Sequence, residues 1–291
     1  MDVKLVRYGE VGKERPGIWL DGEDRARIVD VCGMVFDIQD YDARFWMCGG
    51  LARLRGLLDE PRLKTVPAKG MRLGPPVACP GQLICAGKNY REHAAEFGGP
   101  VPEEPVWFAK NPRSLAGAGD VIPVPADEGA VIDGEVELAV VIARRAWRLA
   151  EEKALSVIGG YMVFNDVTDR TLQRARGQWF MGKSADGFGP CGPWLVTPDE
   201  VGDAGNLPLA QRVNGVCLQA ANTADMVFPL ARLLADLTSV MALEPGDVVS
   251  TGTPGGIGSA RTPPAVYRAG DTVECEIGGI GVLRNTVGVR P

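Results

Sequence analysis

No run of basic residues longer than the pair Arg144-Arg145 occurs in this chain of 291 residues, whose formal net charge is −6. Nucleic acid and anionic membrane are thereby set aside as main partners. No stretch approaches the length of a membrane span, and the opening Met1-Asp2-Val3-Lys4-Leu5-Val6-Arg7 lacks the apolar core of a signal peptide; the expected location is the cytoplasm. The seven cysteines are scattered, odd in number and without a C-x-x-C pair. They point to neither a disulfide framework nor a zinc site and read as small buried hydrophobes. Internal repeats, low-complexity tracts and long charged linkers are also missing. What is present is a composition 45% hydrophobic, enough to bury a sizeable core, with 38 glycines and 22 prolines clustered between short apolar runs. That pattern predicts many strands and turns rather than a helical bundle, a mainly β fold with α elements of the α+β class.

Short strand candidates at 4–8, 17–20 and 26–31, with Asp21-Gly22 as a hairpin turn, precede a helix over 51–58. Pro61, Pro67, Pro75, Pro76 and Pro80 then punctuate a connecting segment. The expected division is a small β-rich N-terminal domain over 1–75 and a larger domain over 76–291. In the latter, a strand at 82–86 leads to a helix over 89–97, ended by Gly98-Gly99-Pro100. A helix over 150–158 is read as stopped by Gly159-Gly160, before a strand at 161–165. Asn214-Gly215 marks a hairpin, 227–243 has helical apolar spacing up to Pro245-Gly246, and strands at 247–250, 272–277 and 282–287 close the chain.

The chemistry-bearing residues are few. Glu135 and Glu137 lie two apart at the start of the apolar run to Ile142, so on a strand both point the same way. Like charges side by side resist burial, so the pair implies a cation or a wet edge. Asp166, delivered at the end of the strand 161–165, would complete an all-oxygen set of the kind Mg²⁺ or Mn²⁺ prefers. A solvated sheet face is the alternative. His93, the single histidine, sits three positions before Glu96; on a helix the two share a face, and a carboxylate beside an imidazole suits a general base. An ordinary exposed helix would show the same spacing. Lys183, among glycines and aromatics, could steady an oxyanion in a closed site or simply lie at the surface. Gly252-Thr253-Pro254-Gly255-Gly256-Ile257-Gly258 follows a strand but lacks the Gly-Lys-Ser/Thr of a nucleotide loop and runs into Pro263-Pro264. It reads as a glycine-rich turn whose amides, with Thr253, could hold a carboxylate.

In order along the chain stand Gly87-Lys88-Asn89-Tyr90-Arg91-Glu92-His93-Ala94-Ala95-Glu96, Gly134-Glu135-Val136-Glu137-Leu138, Asn165-Asp166-Val167-Thr168, Gly182-Lys183-Ser184, Gly192-Pro193-Trp194 and Gly246-Asp247-Val248-Val249-Ser250-Thr251-Gly252-Thr253-Pro254. As a set they resemble the fumarylacetoacetate hydrolase family over about residues 78 to 290. The opening Leu5-Val6-Arg7-Tyr8-Gly9 with Pro16-Gly17-Ile18 looks like the branch of 2,4-diketo-3-deoxy-L-rhamnonate hydrolases and proteins labelled ureidoglycolate lyase. The resemblance implies a mixed β-sandwich roll, a homodimer, and Mg²⁺ or Mn²⁺ at Glu135, Glu137 and Asp166. It implies a water-activating dyad of His93 and Glu96 on a lid helix, substrate or oxyanion contacts from Gln173 and Lys183, and a substrate carboxylate at Thr253. Asp169-Arg170-Thr171 and Ile132-Asp133-Gly134 depart from the family pattern, which bears on substrate identity. The implied activity is hydrolysis of the C3–C4 bond of a 2,4-dioxo acid, with a sugar-acid diketone as the branch's substrate. A decarboxylase, isomerase or lyase of the same family is the rival, and a catalytically silent binding protein the rival of another class.

Overall fold

The computed structural model describes residues 3–21, 26–96, 98, 100–126 and 129–290. The strand Val136–Ile142 is buried at every position, so each face of it needs its own apolar partner. Even-numbered residues Val136, Leu138, Val140 and Ile142 enter one core, with Leu209, Val273, Cys275, Ile277 and Leu283. Odd-numbered Ala139 and Val141 enter a second, with Tyr41, Phe45, Trp46, Met162 and Phe164. Period-two alternation thus sandwiches the strand between two apolar layers. Ile158–Asn165 flanks it antiparallel on one side and Val248–Ser250 on the other; outside these lie Gly189–Val196 and the strands Leu83–Gly87 and Val106–Lys110. A five-stranded sheet of Val216–Asn222, Pro208–Val213, Thr272–Ile277, Gly281–Val289 and Val121–Val124 supplies the opposing layer. The architecture is mixed, sheet-rich α+β, as the sequence predicts, and does not close into a barrel.

The N-terminal strands extend the larger sheet. Lys4–Tyr8 pairs with Gly189–Val196 through Lys4 and Leu5 opposite Val196 and Leu195, and Arg15–Leu20, Arg27–Asp30 and Thr65–Pro67 follow outward. Segment 1–75 therefore shares both sheet and core with the remainder. The turn expected at Asp21-Gly22 falls partly outside the described residues, as do Phe97 and Gly99. The hairpin at Asn214-Gly215 is present, with both residues at positive φ, 50° and 79°, the backbone that matches strand twist in a two-residue turn.

One expectation fails. Gly159-Gly160 does not stop a helix: the helix ends at Ala154, a single 3₁₀ turn spans Leu155–Val157, and both glycines lie within the strand Ile158–Asn165. Their lack of a Cβ answers packing, because a Cβ at Gly159 would meet the Trp46 ring at 2.6 Å and one at Gly160 the Leu195 side chain at 2.6 Å. The apolar stripe at 227–243 does form a helix, shorter than its periodicity, over Leu230–Val240, burying Leu230, Leu233, Leu234 and Leu237. Among the described residues no helix is long and apolar enough to cross a membrane.

Candidate active site

Strand register assembles the acidic cluster. Val136 lies opposite Asn165, so one step further Glu135 faces Asp166, whose amide donates to the Glu135 carbonyl at 2.9 Å. Residues 135 and 137 on one strand, and 162, 164 and 166 on its neighbour, share a face. The three carboxylates are buried, with Glu135 3%, Glu137 1% and Asp166 0% exposed, which removes the solvated-face alternative. One oxygen from each lies within 4.8 Å of the others.

Cations that local spacing does not reveal surround the triad. Lys183 is not at the surface; its ammonium donates to Glu135 Oε2 at 2.7 Å and Asp166 Oδ2 at 2.6 Å. Lys110, at the inner end of Val106–Lys110, donates to Asp166 Oδ1 at 2.6 Å and to the Val167 carbonyl. Arg170, 1% exposed, spans Asp133 Oδ1 at 2.7 Å and Glu135 Oε1 at 2.5 Å and reaches Gln173 at 3.2 Å. The two sequence departures flagged above, at 132–134 and 169–171, are thus two halves of one ion pair. No periodicity marks Lys110 or Arg170; a lone cation terminating an apolar strand, or following the helix cap Asp169, was the available signal.

Buried charges must balance. Around the triad, the carboxylates Glu135, Glu137, Asp166 and Asp133 face the cations Lys110, Lys183 and Arg170. Burial disfavours the charge on Glu135, but Lys183, Arg170 and His93 outweigh it and hold that carboxyl well below the usual range. Glu137 goes the other way: burial, then the charges of Asp166 and Glu135, push it far up, with a hydroxyl bond from Ser250 in partial compensation. Glu137 is the surplus negative charge. A divalent cation among these hard oxygen donors would neutralise it, so the residues present fit such an ion.

His93 closes the site from the helix Arg91–Glu96. It is 5% exposed, so the exposed-helix alternative does not hold; Nδ1 lies 3.0 Å from Glu96 Oε2 and Nε2 lies 3.9 Å from Glu135 Oε1. One amide of the glycine-rich turn holds an internal carboxylate: the Gly256 N–H donates to Glu96 Oε1 at 2.5 Å. Thr253, 1% exposed, is already engaged, donating to the Val136 carbonyl at 3.0 Å and accepting from Gln219 at 2.9 Å. His93, Glu135, Glu137, Arg170, Gln173, Lys183 and Thr253 all line one cavity of about 300 Å³, walled by Phe108 and Trp179. The structure so brings together every site residue that the sequence singles out, with Glu96 behind His93 and Asp166 behind Lys183.

Residues 82–288 match the model of the fumarylacetoacetate (FAA) hydrolase C-terminal domain. A Burkholderia multivorans protein whose name goes no further than hydrolase is 45% identical over 287 residues, spanning 96% of each chain. Among solved structures, fumarylacetoacetate hydrolase from Exiguobacterium antarcticum is 33% identical with a TM-score of 0.83, over 99% of this chain and 100% of that one. The 5-carboxymethyl-2-hydroxymuconate delta-isomerase of Mycobacterium smegmatis is 31% identical with a TM-score of 0.77, over 99% of each. A sheet-buried carboxylate triad, a helix-borne His–Glu pair facing it, and end-to-end likeness to these enzymes agree: the chain belongs to the fumarylacetoacetate hydrolase family.

Proposed function

We propose that this enzyme hydrolyses the C3–C4 bond of a 2,4-dioxo acid, releasing pyruvate and a carboxylic acid, with Mg²⁺ or Mn²⁺ held by Glu135, Glu137 and Asp166. When bound, such a cation would supply Lewis-acid stabilisation of the negative charge on a chelated 2-oxo acid. The observation that supports hydrolysis over other family chemistries is the His93–Glu96 pair, because it can activate an attacking water that decarboxylation and enol–keto exchange do not use, although proton shuttling in enol–keto exchange would employ the same pair. With the Nδ1 proton directed at Glu96, Nε2 is the basic nitrogen and faces the cavity. It takes a proton from water as the oxygen bonds to C4, and the Lys183 ammonium at the cavity wall steadies the oxyanion. Collapse breaks C3–C4, the electron pair leaving on C3 to be protonated as the methyl group of pyruvate.

The test is a substrate panel with purified protein and Mg²⁺: acylpyruvates, oxaloacetate and ureidoglycolate, assayed for pyruvate, CO₂ and glyoxylate. Pyruvate from acylpyruvates, with His93→Ala slowing turnover by about 10²- to 10⁴-fold and metal binding retained, is the expected result. CO₂ from oxaloacetate alone would make the enzyme a decarboxylase, and no product from any acid would leave a binding protein. The isomerase among its structural neighbours makes enol–keto exchange worth following in the same assay.

A further inference from the structure

Arg170 has more counter-charge than one guanidinium needs. Nε donates to Asp133 Oδ1 at 2.7 Å and Nη2 to Glu135 Oε1 at 2.5 Å, so one cation is shared between two buried carboxylates. Glu135 alone would complete the pair, and its other oxygen is already met by Lys183 at 2.7 Å. Asp133 is the member without an evident task. It is fully buried, lies outside the cavity lining, and is not one of the three carboxylates whose oxygens converge. It is nevertheless fixed on both sides. Oδ2 accepts from the Ser259 amide at 2.8 Å. Its strand, Ile132–Asp133, pairs with Thr168–Asp169, and the Arg170 amide donates to the Val131 carbonyl at 2.7 Å, so backbone register sets aspartate and arginine together.

The charge balance gives Asp133 a task. Glu135, Glu137 and Asp166 with Lys110 and Lys183 carry one net negative charge. Arg170 alone would cancel it, and a neutral cluster has no excess charge to attract a divalent cation. Asp133 restores it. We infer that Asp133 is a positioning residue for the metal centre: it holds Arg170 by Nε and takes up its charge, so that the Nη2 N–H orients Glu135 without neutralising that carboxylate towards a metal ion. This rests on Glu135, Glu137 and Asp166 holding such an ion, as proposed above, and not on which bond the enzyme breaks. Groups that act on a ligand from this outer position are worth about 10- to 100-fold in metal affinity. The rival is a plain structural staple, in which Asp133 and Arg170 tie two strands together and every loss of the pair loosens the site alike.

Calorimetric titration of Mn²⁺ into chelator-treated protein separates the two, with the parent, D133N, R170Q and D133N/R170Q compared and thermal melts reporting folding. D133N leaves Arg170 uncompensated and is expected to bind Mn²⁺ about 10- to 100-fold more weakly. R170Q removes the cation while keeping an N–H for Glu135 Oε1, and is expected to bind at least as tightly as the parent. The double variant, its cluster charge again that of the parent, should return to within about threefold. A staple would weaken binding in R170Q as well. Weaker binding by R170Q, D133N within about threefold of the parent, or a double variant as weak as D133N would overturn the inference. Should D133N fail to fold, R170Q decides alone: equal or tighter binding supports Asp133 as counter-charge, and weaker binding refutes it. A parent that takes up no Mn²⁺ fails the metal reading itself, and the inference with it, before any variant is compared.

Discussion

At the scale of single residues, the site is a problem in disposing of one unit of negative charge. Lys110, Lys183 and Arg170 neutralise three carboxylates, and Glu137 is left over. Between the ordinary glutamate value and its raised folded one, the unfolded chain gives up a proton that the metal-free folded chain keeps. Glu137 therefore makes metal-free stability fall as pH rises across that window. Glutamine at 137 keeps the shape and can still accept from Ser250. E137Q should melt a few degrees above the parent near neutral pH without metal, on the order of 1 kcal/mol or more, and show none of the parent's rise in Tm with Mg²⁺ or Mn²⁺. Scanning calorimetry with and without the ions checks both halves; a variant that melts lower and still responds to metal would contradict the charge balance drawn here.

At the scale of elements, the short helix Arg91–Glu96 is too small to be stable alone, and it is held at both ends. Asn89, 1% exposed, donates to the carbonyls of Thr251 at 2.8 Å and Phe228 at 3.1 Å and accepts from the Phe228 amide at 2.9 Å. Glu96 is bound by the Gly256 amide at the other end. Gly252 is at φ +91°, and a Cβ there would come 2.9 Å from the Asn89 Cβ and 3.0 Å from the Ala86 carbonyl oxygen, so the turn and the helix fit only with glycine. In N89A, three backbone groups lose their side-chain partner, the Thr251 carbonyl buried and the two groups of Phe228 half-buried, at roughly 1–3 kcal/mol for a buried group left unsatisfied. Amide hydrogen exchange across 91–96 should quicken and kcat should fall, while metal affinity at the triad, carried by other elements, stays within about threefold. Unchanged exchange would show that Asn89 does not hold the helix.

At the scale of the whole molecule, the N-terminal segment completes a sheet. Leu5 and Ile18 share a core with Cys85, Val141, Phe164 and Leu195, and Lys4–Tyr8 covers the edge of Gly189–Val196. A chain lacking residues 1–75 would expose both that core face and an unpaired strand edge, which invites association. The expected outcome is aggregation, or a product without a cooperative melt, in gel filtration and calorimetry. A monodisperse 76–291 fragment that unfolds cooperatively would instead establish the larger part as an independent domain.

Local periodicity by itself determined the parity of Glu135 and Glu137, the shared helix face of His93 and Glu96, the Asn214-Gly215 turn and most strand positions, because each depends on residues within a few steps of one another. The order of the motifs added the family. Tertiary structure alone decided that Asp166 meets the glutamates, which needs the antiparallel register of Val136 against Asn165, and that Gly159-Gly160 serve close packing rather than helix termination. It decided too that Lys110, Lys183 and Arg170 balance the carboxylates. Charge neutralisation in a low-dielectric interior acts through space between strands far apart in the chain, and no spacing along the sequence encodes that distance.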